Sequence, residues 1–376
     1  MQYMRKLRTS VLNERHRALG SDLSTSWNGM PVPQDYATDL YVETEAVRYH
    51  AGLFDVSALK IIEVAGPDTV DFLNHMLTSD ISKASVGQCH ISNIVNSQGA
   101  IIDDVLVYVD GPHQCRVSHG SGGFEEAADS AKNRFNVRLT PDSDVHVMSL
   151  QGPLALRTLA PHTPMELAAL EYFHHERTTL FNRNIGIARG GYSAEQGYEV
   201  YCSSADAVYI WDSILAAGRD NGVMAASWSC LDIIRVEGGL LFFPFDMPHG
   251  DTTPWEVRAD GSVDLSKPDF IGKQALVAKK GKERSLITGL EVWCSAAVEP
   301  GAKITANGKE VGVATSTTYS RHLMKPLAMA QIQLEYTRLG TELIVQDGSG
   351  AHRAIVVQMP FYDPMRLRIY ASPGRT

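Results

Sequence analysis

Two neighbouring carboxylates stand in the run NSQGAIIDD, residues 96–104. A Gly-containing turn separates the apolar stretches 91–95 and 101–109, which predicts a β-hairpin. Because side chains alternate between the two faces of a strand, one of Asp103 and Asp104 should face a buried space and the other solvent or a neighbouring element. A carboxylate within an apolar strand needs a ligand or a partner. A turn-satisfying or salt-bridged aspartate is the alternative interpretation.

A third carboxylate closes the run GGYSAEQGYE, residues 190–199. Glu199 falls on a strand predicted over residues 197–202, directly after a turn. An ionised carboxylate there can accept two parallel N–H groups from a planar, guanidine-like edge. The alternative is a surface hairpin that carries ordinary charges.

Two further polar stretches follow. In LDIIRVEGG, residues 231–239, Asp232 and Arg235 are three positions apart, which is typical of an ion pair on a helix surface. In FDMPHGDTTPWE, residues 245–256, His249 lies among acidic residues in a Pro-containing loop, a pattern compatible with acid–base chemistry. No second His or Cys stands at metal-ligand spacing, so no metal site is predicted. The sequence also lacks the phosphate-loop, nucleophile-elbow and HExxH patterns.

The secondary structure predicted to position these residues differs between the N-terminal and C-terminal parts of the chain. Strand and helix patterns alternate over roughly the first 275 residues, which predicts an α+β region, and residues 27–36 predict an ordered loop rich in turn-forming residues. A Lys-rich linker is expected over residues 275–285. Short strands punctuated by Gly turns then predict a small antiparallel barrel. The expected domains are 1–278 and 285–376, and the expected helices cover residues 3–20, 44–50, 69–77, 124–136, 152–159 and 205–217.

Composition narrows the class of protein. The chain has 376 residues, of which 44% are hydrophobic, so it can bury more than one core. The net charge of -9 and the absence of a basic stripe argue against nucleic acid as a partner. There is no secretory signal, no apolar run of membrane-spanning length and no paired-cysteine motif. We therefore expect a cytoplasmic protein without a membrane or nucleic-acid partner.

Taken together, these stretches resemble the glycine cleavage T-protein (aminomethyltransferase) superfamily. The resemblance runs in order along nearly the whole chain, so its strength lies in the number and spacing of the matches. The matched segments are Leu53–Ser57, Gly99–Asp104, Leu150–Pro153, Gly191–Tyr192, Gly197–Glu199, Arg235–Gly239, Thr253–Pro254 with Glu256, Phe270–Leu276, Gly289–Leu290, Val311–Gly312, Thr315–Ser316, Lys325–Ala328 and Pro360–Tyr362.

The resemblance implies a fold and a site. The fold would be a three-lobed ring, with two ferredoxin-like α/β lobes and a C-terminal antiparallel β-barrel around a central hole for tetrahydrofolate. Asp104, the second Asp of the pair, would face the reactive folate nitrogens, and Glu199 would bind the pterin amino-pyrimidine edge. Tyr192, Asn96, Val95 and Arg235 would complete the cofactor site.

Three departures from the family pattern bear on which activity within the family this chain has. The usual GYTGEDG reads GYSAEQG, Leu231 replaces an arginine, and Phe245 replaces a histidine. The segments SWNGMPVPQDY and PFYDP instead resemble the folate-dependent demethylase branch. The resemblance therefore implies transfer of a methyl group from a small O-, S- or N-methylated substrate to N5 of tetrahydrofolate. Aminomethyl transfer in glycine cleavage and non-catalytic folate binding are the alternatives, and a homodimer is left open.

A donor that protonates the leaving group would complete a demethylase. His90, His249 and Tyr36 are the candidates by residue type. For each of them the alternative is a side chain that only packs or caps. Asp104 would stabilise the positive charge that grows on N5 as the new bond forms.

Overall fold

The first lobe carries the Asp103–Asp104 strand. The computed structural model describes residues 8–120 and 122–370. The sheet of this lobe has the order β5-β6-β7-β4-β8, and α3 and α4 cover one face. Its elements are β4 (Lys60–Ala65), α3 (Thr69–Met76), β5 (Cys89–Val95), β6 (Ile101–Gly111), β7 (Gln114–His119), α4 (Phe124–Ala131) and β8 (Arg138–Asp142). The predicted hairpin is confirmed as β5 and β6.

The second lobe carries Glu199 and takes in the N-terminal segment. Its six-stranded sheet has the order β10-β11-β12-β9-β3-β13. The N-terminal elements are α1 (Asn13–Ala18), β1 (Ser26–Trp27), β2 (Met30–Pro31), α2 (Leu40–Tyr49) and β3 (Gly52–Asp55). The others are β9 (Val145–Gln151), α5 (Ala155–Leu159), β10 (His175–Leu180), β11 (Arg183–Arg189), β12 (Gly197–Ser203), α6 (Ser204–Gly218), β13 (Met224–Ala225) and α7 (Trp228–Glu237).

The C-terminal part is a closed antiparallel barrel with the strand order β14-β17-β16-β15-β18-β19. The strands alternate apolar residues into a core of their own, as the sequence pattern predicts. Its strands are β14 (Ser285–Val292), β15 (Lys303–Ala306), β16 (Lys309–Ser320), β17 (Lys325–Gln333), β18 (Glu342–Asp347) and β19 (Gly350–Val357), and the last helix is α9 (Leu367–Tyr370). The predicted α+β class with two lobes and a barrel is confirmed.

Three local predictions were wrong in extent. The helix expected over residues 3–20 is limited to α1 within the described chain, and residues 3–7 lie outside it. The loop expected over residues 27–36 begins with the hairpin β1–β2, because Asn28 and Gly29 both adopt the positive φ angles that a two-residue hairpin turn requires. The expected linker begins inside a helix, α8 (Lys273–Lys279).

A buried arginine joins α2 to α7 and both to the barrel and the C-terminal segment. Arg48 on α2 is 1% exposed, and its guanidinium lies 2.6 Å from Glu237 and 3.1 Å from Glu195. Glu237 also accepts a hydrogen bond from Ser320 in the barrel, at 2.6 Å. Tyr362 stacks on Arg48, with 3.9 Å between the guanidinium carbon and the ring centroid. Both carboxylates are thereby satisfied without water.

Replacing Arg48 by Met should lower the free energy of unfolding by about 3–5 kcal/mol, because two buried carboxylates lose their shared cation. Arg15 offers a matched control, since its ion pair with Asp212 is solvent-exposed. Arg15→Met should leave the free energy of unfolding almost unchanged, because water screens an exposed ion pair. Urea denaturation followed by circular dichroism measures both changes. Equal losses for the two variants would contradict the role given to Arg48.

Candidate functional site

Asp103 and Asp104 point to opposite faces of β6, as the strand geometry predicts. Asp103 is fully buried on the side of α3 and α4, where its carboxylate accepts the N–H of Phe124 at 3.0 Å and the N–H of Asp104 at 3.0 Å. The Nδ1 atom of His119 lies 3.4 Å from the same carboxylate. Asp103 therefore caps the N-terminus of α4, which is the structural role foreseen as the alternative for one member of the pair.

Asp104 faces the second lobe. Leu106 and Tyr108, which share its face of β6, belong to the apolar cluster packed between the two sheets. Among the described residues, no side chain and no backbone N–H of a different residue donates a hydrogen bond to the Asp104 carboxylate. Burial and the neighbouring charge of Asp103 raise the pKa of Asp104 to about 7. The site thus contains an acid that can take up or release a proton near neutral pH.

Glu199 is held at the contact between the two lobes. Its Oε2 atom accepts the hydroxyl of Tyr201 at 2.6 Å and that of Tyr108 at 3.5 Å, and the two tyrosine hydroxyls also contact each other. Burial raises the pKa of Glu199, while the two hydroxyls oppose this shift. Tyr108 thus connects β6 to β12. Asp104 and Glu199 therefore lie along one inter-lobe surface. Asp104 and Tyr108 are four positions apart on β6, which corresponds to roughly 13 Å.

Tyr192 borders the same surface and is tied to the segment after α7. Its ring packs at the edge of the inter-lobe apolar cluster, and its hydroxyl donates to the carbonyl oxygen of Leu241. Burial raises the pKa of Tyr192, and the negative charges of Asp246 and Asp104 act in the same direction. Tyr192 and Asp104 therefore lie close enough to influence each other electrostatically.

Arg235 is buried beside this surface, but its donors are engaged within the protein. It pairs with Asp232 at 2.7 Å and with Asp246 at 3.1 Å, and it donates to the carbonyl of Leu240 at 3.3 Å. The predicted pair of Asp232 and Arg235 on one helix is confirmed. Asp246 in turn accepts hydrogen bonds from the barrel, at 2.8 Å from Ser316. Arg235 thus joins α7 to the barrel, and its contact with folate stays a prediction.

Comparison with known proteins identifies the family. Residues 12–267 match the GCVT N-terminal domain, and residues 286–363 match the glycine cleavage T-protein C-terminal barrel domain. The chain belongs to the glycine cleavage T-protein family. Members of this family transfer one-carbon units, and its aminomethyltransferases use tetrahydrofolate.

The relatives carry two kinds of name. The chain is 40% identical to a heme-dependent oxidative N-demethylase gamma subunit of Ectopseudomonas mendocina, over 95% of this chain and 96% of that one. It is 33% identical to an aminomethyltransferase of Saccharopolyspora erythraea, over 94% and 98%. The crystal structure of glycine cleavage system aminomethyltransferase T from Bartonella henselae superposes with a TM-score of 0.87 at 25% identity, over 96% and 99%.

Two of the residues that the family resemblance placed at the cofactor have local structural duties. The side-chain oxygen of Asn96 accepts the N–H groups of Gln98 at 2.9 Å and Ala100 at 3.1 Å, which closes the hairpin turn. Val95 is fully buried in a separate apolar cluster that also contains Leu276. Their roles towards folate stay predictions, to which these contacts add no support.

The three predicted proton donors do not gather around Asp104. His90 pairs with Val107 on β6, so it lies on the opposite face of the sheet from Asp104. Burial lowers the pKa of His90. His249 is exposed in the segment that follows α7. Tyr36 is buried in the second lobe, where its hydroxyl lies 2.9 Å from Nδ1 of His16. The structure thus leaves the leaving-group donor unassigned among these three.

Sequence reasoning missed the two tyrosines that orient Glu199. The available signal was the period of two in β6, which puts Tyr108 on the same face as Asp104. Tyr201 likewise shares a face of β12 with Glu199. That these two faces meet is a tertiary fact, because β6 and β12 belong to different sheets.

Asp104→Asn should make stability less dependent on pH. Asp104 in the unfolded chain has a pKa near 3.9, so the folded protein binds the extra proton between about pH 4 and pH 7. The free energy of unfolding of the wild type therefore falls as pH rises through this window. The variant lacks this fall. The difference in free energy of unfolding between the variant and the wild type should therefore be on the order of 2 kcal/mol more favourable to the variant at pH 8 than at pH 5. Urea midpoints at both pH values measure the change.

Asp103→Asn is a second test of the same pair. It removes an acid that accepts two backbone N–H groups, so it should lower stability by about 1–3 kcal/mol at pH 5. It also removes the charge that helps to raise the pKa of Asp104, so the fall in stability between pH 5 and pH 8 should be smaller than in the wild type. A difference between Asp104→Asn and the wild type that is the same at pH 5 and pH 8 would contradict the raised pKa of Asp104.

Proposed function

We propose that this protein is a tetrahydrofolate-dependent transferase that takes a one-carbon unit from an N-methylated small molecule. The observation that carries the proposal is Asp104: a carboxylate without a cationic partner in the described chain, with a pKa near 7, on the strand face that leads to Glu199. A desolvated, unpaired acid costs stability, so its position is best explained by a ligand that uses it.

The residues at the inter-lobe surface fit a reduced pterin. Tyr201 and Tyr108 fix the Glu199 carboxylate through Oε2 and leave Oε1 without a hydrogen-bond donor among the described residues. A carboxylate oriented in this way can accept the adjacent N–H groups of an amino-pyrimidine edge. The partly buried side chains of Leu106, Phe173 and Tyr192 supply apolar surface for the rings. The pterin would thus extend from Glu199 towards Asp104.

Asp104 would accept and return the proton of the reacting nitrogen. When bound, tetrahydrofolate supplies a nucleophilic N5 that forms the new bond to carbon. The ionised form of Asp104 stabilises the positive charge that develops there and accepts the N5 proton. A pKa near the working pH suits a group that must both take and return a proton. Leu106 and Tyr192 belong to the edge of the apolar cluster on this face, and apolar surroundings of this kind strengthen such an electrostatic effect.

The choice of an N-methyl donor rests on the relative that is an oxidative N-demethylase gamma subunit. By analogy with that name, we propose that this chain works as one subunit of an N-demethylating enzyme. The carbon would then reach folate either as a methyl group or, after oxidation of the amine by a partner subunit, at the level of formaldehyde. Aminomethyl transfer is the second candidate, because several relatives that are about 33% identical are aminomethyltransferases.

Glu199→Gln should weaken the binding of tetrahydrofolate about tenfold or more, because an amide replaces the charged acceptor. Isothermal titration calorimetry measures the dissociation constant. Glu63→Gln is a matched control on the same sheet as Asp104, since Glu63 is paired with Gln114 and Arg138 away from the inter-lobe surface. Equal affinity in the wild type and Glu199→Gln would remove Glu199 from the cofactor site.

A labelled-donor screen tests the reaction. The protein, purified from its natural host with its bound subunits, is incubated with tetrahydrofolate and ¹³C-methyl amines, and folates are read by mass. Labelled 5-methyl- or 5,10-methylenetetrahydrofolate from an N-methyl donor supports the proposal, and Asp104→Asn should lower the rate about 10²–10⁴-fold. Ammonia release from an aminomethylated lipoyl carrier would favour the second candidate. Folate binding without turnover on any donor would indicate a non-catalytic folate-binding protein.

A further inference from the structure

An aromatic ring packs against the residue that follows β7, on the sheet that carries Asp104. In β6 and β7, Val105 pairs with His119, and the N–H of Gly123 donates to the carbonyl of Ile102, so the residues on both sides of position 121 lie near β6. Continuing this register by one residue places Gly120 next to Asp104, on the same face of the sheet. A Cβ atom built on Gly120 would lie 3.0 Å from the indole ring of Trp27. In this register, Trp27 packs over the position that neighbours Asp104.

Trp27 is the centre of a larger aromatic surface. Its ring centroid is 5.3 Å from that of Trp228 and 6.0 Å from that of Phe242. Phe245 extends the group, 5.1 Å from Phe242, and is 61% exposed. The indole N–H of Trp228 donates to the carbonyl of Asp55 at 2.9 Å, which fixes the orientation of that ring. We call the set Trp27, Trp228, Phe242 and Phe245 the aromatic wall.

The β1–β2 hairpin holds Trp27 in this place. The Asn28 side chain donates to the carbonyl of Ala58 at 3.0 Å, and Met30 packs on Ala58 in the small apolar cluster that includes Trp27 and Trp228. The hairpin thus anchors an aromatic ring over the sheet instead of burying it in either lobe core. A partly exposed aromatic surface near an unpaired acid indicates a ligand site rather than a surface that only packs.

The charges around the wall indicate which ligand it takes. Aromatic ring faces and a carboxylate both attract a positive charge, and methylated ammonium groups are the cations that aromatic surfaces bind best. Arg235 already occupies one side of Phe242, with 5.6 Å between its guanidinium carbon and the ring centroid. Trp27 carries no such cation within the described chain.

We propose that the aromatic wall binds the cationic, methylated nitrogen of the carbon donor and places its methyl group beside Asp104. This inference rests on the proposed function and specifies its substrate as a positively charged N-methyl compound. Trp27 provides the main ring face, and Trp228 and Phe242 flank it. The donor would enter past the exposed Phe245, while Glu199 would hold the pterin.

Tetramethylammonium is the probe that tests the wall without any turnover. Ligand-observed NMR titration of the full chain measures its dissociation constant, with tert-butanol as a neutral ligand of similar shape. The wild type should bind the cation, and Trp27→Leu should weaken binding about five- to thirtyfold. Trp27→Phe should retain part of the affinity, because a smaller ring face remains. Trp293→Leu is the control, since Trp293 is a half-exposed tryptophan of the barrel region that already stacks on Arg353.

The outcomes separate this inference from the proposed function. Tetramethylammonium binding no tighter than that of tert-butanol, or equal binding by the wild type and a folded Trp27→Leu, would overturn the wall as a cation site. Thermal unfolding of each variant establishes that it is folded. If Trp27-dependent binding is found while no labelled folate forms from any N-methyl donor, the proposed function fails and the cation site stands.

Discussion

The buried guanidinium of Arg48 is the interaction on which the packing of the second lobe against the barrel and the C-terminal segment depends. One buried cation is shared by two buried carboxylates, Glu195 on the turn before β12 and Glu237 at the end of α7. Charges buried in this way tolerate little displacement, because each lost contact leaves an unpaired ion in a medium of low polarity. Glu195 also binds Arg368 of the last helix at 2.7 Å. The ion cluster therefore fixes where β12, α7 and the C-terminus meet.

That rigid frame allows the protein to keep an uncompensated acid. Asp103 and Asp104 are adjacent in the chain, yet only Asp103 has its carboxylate bound by backbone N–H groups. Asp104 is desolvated beside another negative charge, and its pKa rises accordingly. Such a group lowers stability, so the surrounding structure must be stable enough to hold it. Because side chains alternate along a strand, Asp103 takes the structural role and Asp104 the proposed chemical one.

The relatives of this chain carry the names of two activities, N-demethylation and aminomethyl transfer. The positions of the two acids fit the proposed handling of a one-carbon unit, and one departure from the family pattern, Leu231, lies in the apolar cluster between the lobes. Phe245 stands where the family resemblance leads one to expect a histidine, and it belongs to an aromatic surface rather than a polar one. Under the proposed function, specificity for the donor would then reside in the segment after α7 and in the N-terminal hairpin.

The sequence alone determined the class of fold, the hairpin that carries Asp103 and Asp104, and the barrel, because these follow from local periodicity and turn residues. It also indicated that one acid of the pair would face inwards. Only the tertiary structure decided that Tyr108 meets Glu199 across two sheets, that Arg235 is engaged by Asp246, and that Trp27 contacts Trp228 and Phe242. Those contacts join residues far apart in the chain, and no local pattern encodes which strand faces meet.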